Sequence, residues 1–152
     1  MKNSSLSAKN SELSEKVQSG SSLKAYEIIA FGLKIKSKGL EIQTPKAKKI
    51  EKIKTCFVIS ENAIAQKGKK TIYLRISDPD GVILTKGTDD SYAFKHEGKM
   101  IIFSVKQDIV YDNKALDICM YWDKTKAFKK GSYNVDIYVD GKLIGNTVFI
   151  LE

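Results

Sequence analysis

Residues 132–139 alternate between apolar and polar side chains, which is the pattern of a half-buried β-strand. Asp140-Gly141 follows, and this dipeptide is typical of a two-residue hairpin turn. The segment from Lys142 to Leu151 is long enough to form the return strand. The end of the chain is therefore predicted to be an antiparallel hairpin with Tyr133, Val135, Ile137 and Val139 facing inward, and Asn134, Asp136 and Tyr138 facing outward.

The same alternation recurs along the chain between turn signals, among them Asp78-Pro79-Asp80-Gly81 and His96-Glu97-Gly98-Lys99. Further strands are predicted at 25–36, 53–59, 71–77, 82–85, 91–95, 100–105 (extended by 108–111) and 116–122. About eight strands with turns every 8–12 residues or so, and no long helical pattern, are typical of a sandwich. We therefore predict an all-β, immunoglobulin-like antiparallel sandwich over residues 23–152, with a barrel as the alternative.

The first 22 residues differ from the rest because they lack aromatic residues and β-branched runs. Four of them are spaced four, three and four apart, as in the seam of a parallel coiled coil: Leu6, Asn10, Leu13 and Val17. A helix this short and rich in serine is marginal by itself. Residues 1–22 are thus predicted to be either a flexible tail or the end of a dimeric coiled-coil stalk, with the sandwich as its head.

The net charge of +8 is concentrated near the amino terminus. Residues 1–52 carry a balance of +6, whereas residues 53–152 carry only +2. Arg75 is the only arginine, although arginine is the usual reader of guanine and the better bidentate phosphate ligand. Nucleic-acid binding is therefore only the alternative function, and its candidate basic patch consists of Lys46, Lys48, Lys49, Lys52 and Lys54. A solvated loop and strand edge with no binding role explains the same lysines.

The two cysteines, Cys56 and Cys119, are too few for a cysteine-rich metal site. The alternation of their strands places both on the more polar face, so we predict reduced, unpaired thiols. The amino terminus lacks the apolar core of a secretory signal, which predicts a cytoplasmic protein. No apolar run approaches the roughly 18 residues of a membrane helix, so no membrane association is expected.

Nothing in the sequence indicates a catalytic centre or a cofactor. The only histidine, His96, lies in a predicted turn among charged residues, where a solvated side chain is expected rather than a general base. No glycine-rich loop opens a helix to hold a phosphate. Asp78, Asp80, Asp89 and Asp90 are explained as turn residues, with weak calcium binding as the alternative. We therefore predict no enzyme, no cofactor and no metal site.

Four residues on predicted outward registers belong to types enriched at protein interfaces: Tyr73, Arg75, Tyr121 and Tyr138. They are the candidate protein-interaction face, although cross-strand aromatic pairing explains them equally well. The predicted function is a non-catalytic protein-interaction or structural module whose partner is another protein. Carbohydrate binding has little support, because Trp122 is the only tryptophan and its register predicts burial.

A short phrase, Lys130-Gly131-Ser132-Tyr133-Asn134-Val135, resembles the entry to the penultimate strand of immunoglobulin-like and fibronectin-like sandwiches. That resemblance implies that Tyr133 forms a tyrosine corner, with its hydroxyl bonded back to the preceding connection. Residues 23–152 also resemble the immunoglobulin-like domains that follow coiled-coil stalks in bacterial chromosome-segregation-like proteins. The resemblance is carried by PKAKKIEKI, YLRISDPDGVIL and YNVDIYVDGKLIG.

Overall fold

The computed structural model describes residues 23–152. The candidate coiled-coil seam of Leu6, Asn10, Leu13 and Val17 lies outside the described residues, so the stalk stays a prediction. Single 3₁₀ turns occur at Ser37–Gly39 and Asp90–Tyr92. The strands are β1 (Ala25–Ile35), β2 (Glu41–Gln43), β3 (Lys52–Ile59), β4 (Gly68–Ser77), β5 (Ala93–His96), β6 (Lys99–Ile102), β7 (Val105–Tyr111), β8 (Leu116–Asp123), β9 (Gly131–Val139) and β10 (Lys142–Leu151).

The strands form two antiparallel four-stranded sheets and a separate hairpin. The first sheet has the order β2-β1-β3-β8, the second has the order β10-β9-β4-β7, and β5 pairs with β6. The predicted all-β sandwich is therefore confirmed, with ten strands rather than about eight. The difference comes from the three-residue β2, which the sequence pattern did not predict, and from the division of the strand predicted from Met100 onward into β6 and β7.

The inner faces of the two sheets enclose one hydrophobic core. Most of the inward residues follow the predicted alternation, because successive side chains of a strand point to opposite faces. Trp122 is 2% exposed, which confirms that it belongs to the core. The fully buried side chains of this core include Ile53, Phe57, Ile59, Ile72, Leu74, Ile76, Met120, Tyr133, Val135 and Ile137.

Both predicted two-residue turns are present, with two successive residues in the left-handed region of the backbone. Asp140 and Gly141 have φ of 54° and 75°, and Glu97 and Gly98 have φ of 49° and 78°. The 78–81 turn is also as predicted. Residues 82–85 do not form the predicted strand, however, because among residues 23–152 only the single bridge Ser77↔Ile83 connects that segment to β4.

The long strand predicted to begin at Met100 is divided between two layers. β6 pairs with β5 in the hairpin, whereas β7 joins the edge of the second sheet. The division occurs at Phe103-Ser104, where the backbone amide of Ser104 donates to the carbonyl of Leu74 at 2.7 Å. The β5–β6 hairpin, called the cap hairpin below, therefore lies over the outer face of the second sheet rather than extending it.

The predicted tyrosine corner is confirmed. Tyr133 is 1% exposed, and its hydroxyl donates to the carbonyl oxygen of Lys129 at 2.7 Å, which fixes the connection before β9. Burial raises the pKa of the Tyr133 hydroxyl above its usual value.

Replacing Tyr133 by phenylalanine should lower the free energy of unfolding by about 1 kcal/mol, because the Lys129 carbonyl loses its donor while the ring still fills the core. Urea unfolding measures the change. Tyr26→Phe is the matched control, since Tyr26 is 43% exposed and its hydroxyl has no comparable role. Equal losses in the two variants would contradict a structural role for the Tyr133 hydroxyl.

The prediction of free thiols is wrong, because Cys56 and Cys119 form a disulfide. The two residues lie directly opposite each other on β3 and β8, with their Cα atoms 4.1 Å apart. Both side chains are on the outer face of the first sheet, as the alternation predicts. The sequence pattern shows the face of each strand but does not show that β3 and β8 are neighbours in this register.

None of the helical segments in residues 23–152 is long and apolar enough to span a membrane.

Candidate functional site

The outer face of the first sheet carries apolar and aromatic side chains that face solvent. Cross-strand partners share a face, and Tyr26 lies opposite Val58, Ile29 opposite Cys56, and Phe31 opposite Lys54. Tyr26 is 43% exposed and Ile29 is 53% exposed. This surface, called the open face below, comprises Tyr26, Ile29, Phe31, Lys52, Lys54, Cys56, Val58, Cys119 and Tyr121.

Tyr121 occupies the lysine-rich end of the open face. The ammonium groups of Lys52 and Lys54 lie 5.6 and 5.4 Å from the centre of its ring, within the range of cation–π attraction. Lys54 also pairs with Glu41 at 3.2 Å, and Lys52 pairs with Asp123 at 3.2 Å. Hydrogen bonding to Tyr121 and to Glu41 raises the pKa of Lys54. The tyrosine ring therefore lies close to the ammonium groups of two lysines.

The four residues of the predicted protein-interaction face do not form a single surface. Tyr121 lies on the first sheet, whereas Tyr73, Arg75 and Tyr138 lie on the second. The three residues of the second sheet are covered by the cap hairpin: Phe94 stacks on Tyr73 with ring centres 4.3 Å apart. Tyr138 is consequently only 5% exposed. Their outward registers were predicted correctly, but a strand pattern cannot show that a hairpin folds over the same sheet.

The five lysines of the predicted basic patch also lie on two different parts of the structure. Lys46, Lys48 and Lys49 lie in the connection between β2 and β3, whereas Lys52 and Lys54 belong to the open face. Three of the five lysines are paired with carboxylates, since Lys46 contacts Glu152 at 3.4 Å in addition to the two pairs already given. The patch is thus smaller and less positive than its sequence indicates.

His96 is not the solvated turn residue that the sequence predicts. Its Nδ1 lies 2.7 Å from the carbonyl oxygen of Gly141, and its ring contacts Tyr138 edge-on. The side chain therefore ties the cap hairpin to the β9–β10 turn. The cysteines lie on the first sheet and are bonded to each other, so no thiol is available to pair with His96.

Asp78 and Asp89 accept hydrogen bonds within their own turns, as predicted, whereas Asp80 pairs with Lys129. Asp78 Oδ1 accepts from the backbone amides of Asp80 and Val82 at 2.9 and 3.0 Å. Asp89 accepts from the hydroxyl and the backbone amide of Ser91, and these bonds lower the pKa of Asp89. No group of three potential metal ligands occurs in residues 23–152.

The sequence analysis missed the exposed apolar residues of β1. Ile29 and Phe31 lie on the outward register because the β1 residues opposite the buried Ile53 and Thr55 are Gly32 and Ala30. Gly32 faces inward, where an added Cβ would lie 2.5 Å from Cγ2 of Ile50. A strand with glycine and alanine on its inward register and larger apolar residues outward is the signal that could have identified this face.

Comparisons with known proteins give a match to a family model and likenesses to solved structures. One of these structures is the alkylpurine DNA glycosylase AlkC of Pseudomonas fluorescens, bound to DNA containing an abasic-site analogue, with a TM-score of 0.47 and 13% identity. The likeness covers 86% of this chain and 30% of that chain. No curated protein matches the chain. The family model, described as a domain of unknown function, matches residues 26–152, and the chain therefore belongs to the DUF8428 family.

Proposed function

We propose that this protein is a non-catalytic protein-interaction module that binds a partner through the open face. The observation that carries this proposal is the exposure of Tyr26 and Ile29 beside the half-exposed Phe31 and Val58 on a sheet face that the cap hairpin does not cover. Contiguous apolar surface with aromatic side chains and a polar rim is typical of protein-binding sites.

The charges around the open face favour a partner that presents acidic groups next to an apolar patch. Lys52 and Lys54 flank Tyr121 and can exchange their internal carboxylates for those of a partner. Rim charges of this kind contribute to orientation and association rate more than to affinity. Burial of the tyrosine and its apolar neighbours would supply most of the binding energy.

Nucleic-acid and carbohydrate binding have weaker support. A track along a phosphate backbone needs several unpaired cations, but three of the five predicted lysines are engaged by carboxylates. The only arginine lies on the other sheet. The only tryptophan is buried, so it offers no exposed ring on which a sugar could stack.

The stalk and the cellular location remain parts of the proposal. An immunoglobulin-like head on a dimeric coiled coil would present two open faces to one partner and so raise its apparent affinity. The Cys56–Cys119 disulfide favours an oxidising environment over the cytoplasm predicted from the sequence, because cytosolic thiols are kept reduced.

Affinity capture on the immobilised full chain, with extract of the source cells, should retain a protein whose binding depends on Tyr121. Tyrosine is enriched among the hot spots of protein interfaces, so Tyr121→Ala should weaken binding of the purified partner by about thirtyfold or more. Val148→Ala is the matched control, since Val148 is 54% exposed on the outer face of the second sheet. Isothermal titration calorimetry at several salt concentrations measures the affinity of wild type and of both variants for the purified partner.

Equal binding by wild type, Tyr121→Ala and Val148→Ala would contradict the role of the open face. Micromolar binding of duplex or single-stranded DNA at about 150 mM salt, with affinity falling steeply as salt rises, would instead favour the nucleic-acid alternative. That binding should be lost in the Lys48→Gln/Lys49→Gln variant, which keeps the open face intact.

A further inference from the structure

A cleft of about 560 Å³ lies beside the cap hairpin, at the edge of the second sheet. Its walls come from the 82–88 segment, from β6 and from the loop after β8. Val82, Ile83, Met100, Ile101 and Trp122 make most of this surface apolar, and Arg75 supplies a cation. Small-molecule sites typically have about this volume and this combination of apolar walls with a few polar groups.

The cleft results from the way in which β7 separates from β4. The two strands pair from Gly68 to Leu74, and beyond Leu74 the edge of β4 is bordered by the 82–84 segment instead. The amide of Leu84 donates to the carbonyl of Ile76 at 2.8 Å. Because β6 pairs with β5 rather than with this segment, a space remains between the two.

Arg75 is fixed in position but has no acidic partner. Its Nε donates to the carbonyl oxygen of Ile102 at 2.7 Å, which orients the guanidinium from the β6 side. No carboxylate of residues 23–152 forms an ion pair with it. Asp136, opposite Arg75 across the strands, accepts hydrogen bonds from the side chains of Asn134 and Asn146. The guanidinium therefore retains donors for an external anion.

The other charged groups at the cleft favour an anion as well. Asp78 is committed to its turn and faces Lys129, with its Oδ2 3.9 Å from the lysine ammonium. Lys126 lines the cleft, and the ammonium of Lys86 lies 6.0 Å from the Trp122 ring. A ligand in this cleft would therefore contact apolar walls and lie near several positively charged side chains.

We propose that the cleft binds a small organic acid with an apolar or aromatic body. The carboxylate is held by the Arg75 guanidinium, whose planar fork matches it, and the apolar body lies against Ile101 and Trp122. This site is separate from the open face and does not depend on the proposed protein partner.

Trp122 allows a direct test on the full chain, because it is the only tryptophan. Titration with octanoate and with 4-phenylbutyrate should change its emission saturably, with dissociation constants below about 1 mM, and 1-octanol should bind at least about tenfold more weakly. The changes in backbone amide NMR shifts on adding ligand should be confined to β4, the 82–88 segment, β6 and residues 122–126. The absence of a saturable change with both acids up to about 10 mM would overturn the proposal.

Two variants separate ligand contact from folding. Arg75→Gln should weaken octanoate binding by about tenfold or more, while Val82→Phe should fill the entrance and weaken it with Arg75 intact. Val82 is 53% exposed, so this second variant keeps the fold even if Arg75→Gln loosens the cap hairpin. Lys48→Gln, which lies outside the lining of the cleft, is the charge-matched control and should bind as wild type. Unchanged affinity in Val82→Phe would overturn the proposal.

Discussion

Loss of the Cys56–Cys119 disulfide should lower the free energy of unfolding by about 4 kcal/mol. The bond joins residues separated by 63 positions, and a closed loop of that length removes much of the conformational entropy of the unfolded chain. In the folded state β3 and β8 remain paired along eight residue pairs, so reduction leaves the native sheet largely in place. Guanidinium unfolding of the oxidised and the reduced protein measures the difference.

The Cys56→Ala/Cys119→Ala variant controls for the reductant, since its midpoint should match that of the reduced wild type and should not change when reductant is added. The free energy of unfolding of the oxidised protein should also depend less steeply on denaturant concentration, because its unfolded chain is more compact. Identical midpoints for oxidised and reduced wild type would show that the bond contributes nothing to stability.

Replacing Phe94 by alanine should cost about 3 kcal/mol and should loosen the cap hairpin first. Phe94 is 5% exposed and packs between Tyr73 and Tyr138, with ring centres 4.3 and 5.0 Å away. Three further contacts hold the hairpin: Ile101 packs against the same aromatic cluster, Arg75 bonds to Ile102, and His96 bonds to Gly141. Hydrogen exchange of the β5 and β6 amides, together with urea unfolding, measures the local and the global effect.

Met100→Ala is the control for this experiment, because Met100 lies on the same hairpin but is 57% exposed. Its truncation should change the free energy of unfolding by less than about 0.5 kcal/mol. Unchanged amide protection of β5 and β6 in Phe94→Ala, with a loss of stability no larger than that of Met100→Ala, would mean that the aromatic cluster does not hold the hairpin.

The sequence by itself determined most of the strands, the inward faces of those with clear alternation, and the tight turns. These features are local: side-chain alternation has a period of two residues, and Asp140-Gly141 adopts the left-handed backbone that a two-residue turn requires. Tyr133 could be predicted for the same reason, because its hydroxyl bonds to Lys129 only four residues away.

Only the tertiary structure decided which outward residues are available for binding. Cys56 and Cys119 became partners because β3 and β8 are neighbours in one register, and Tyr138 became buried because a distant hairpin covers it. Both facts depend on strand order, which arises from packing between segments far apart in the chain. The alternation of a single strand separates inside from outside, but whether an outward side chain meets solvent or another layer depends on segments elsewhere in the chain.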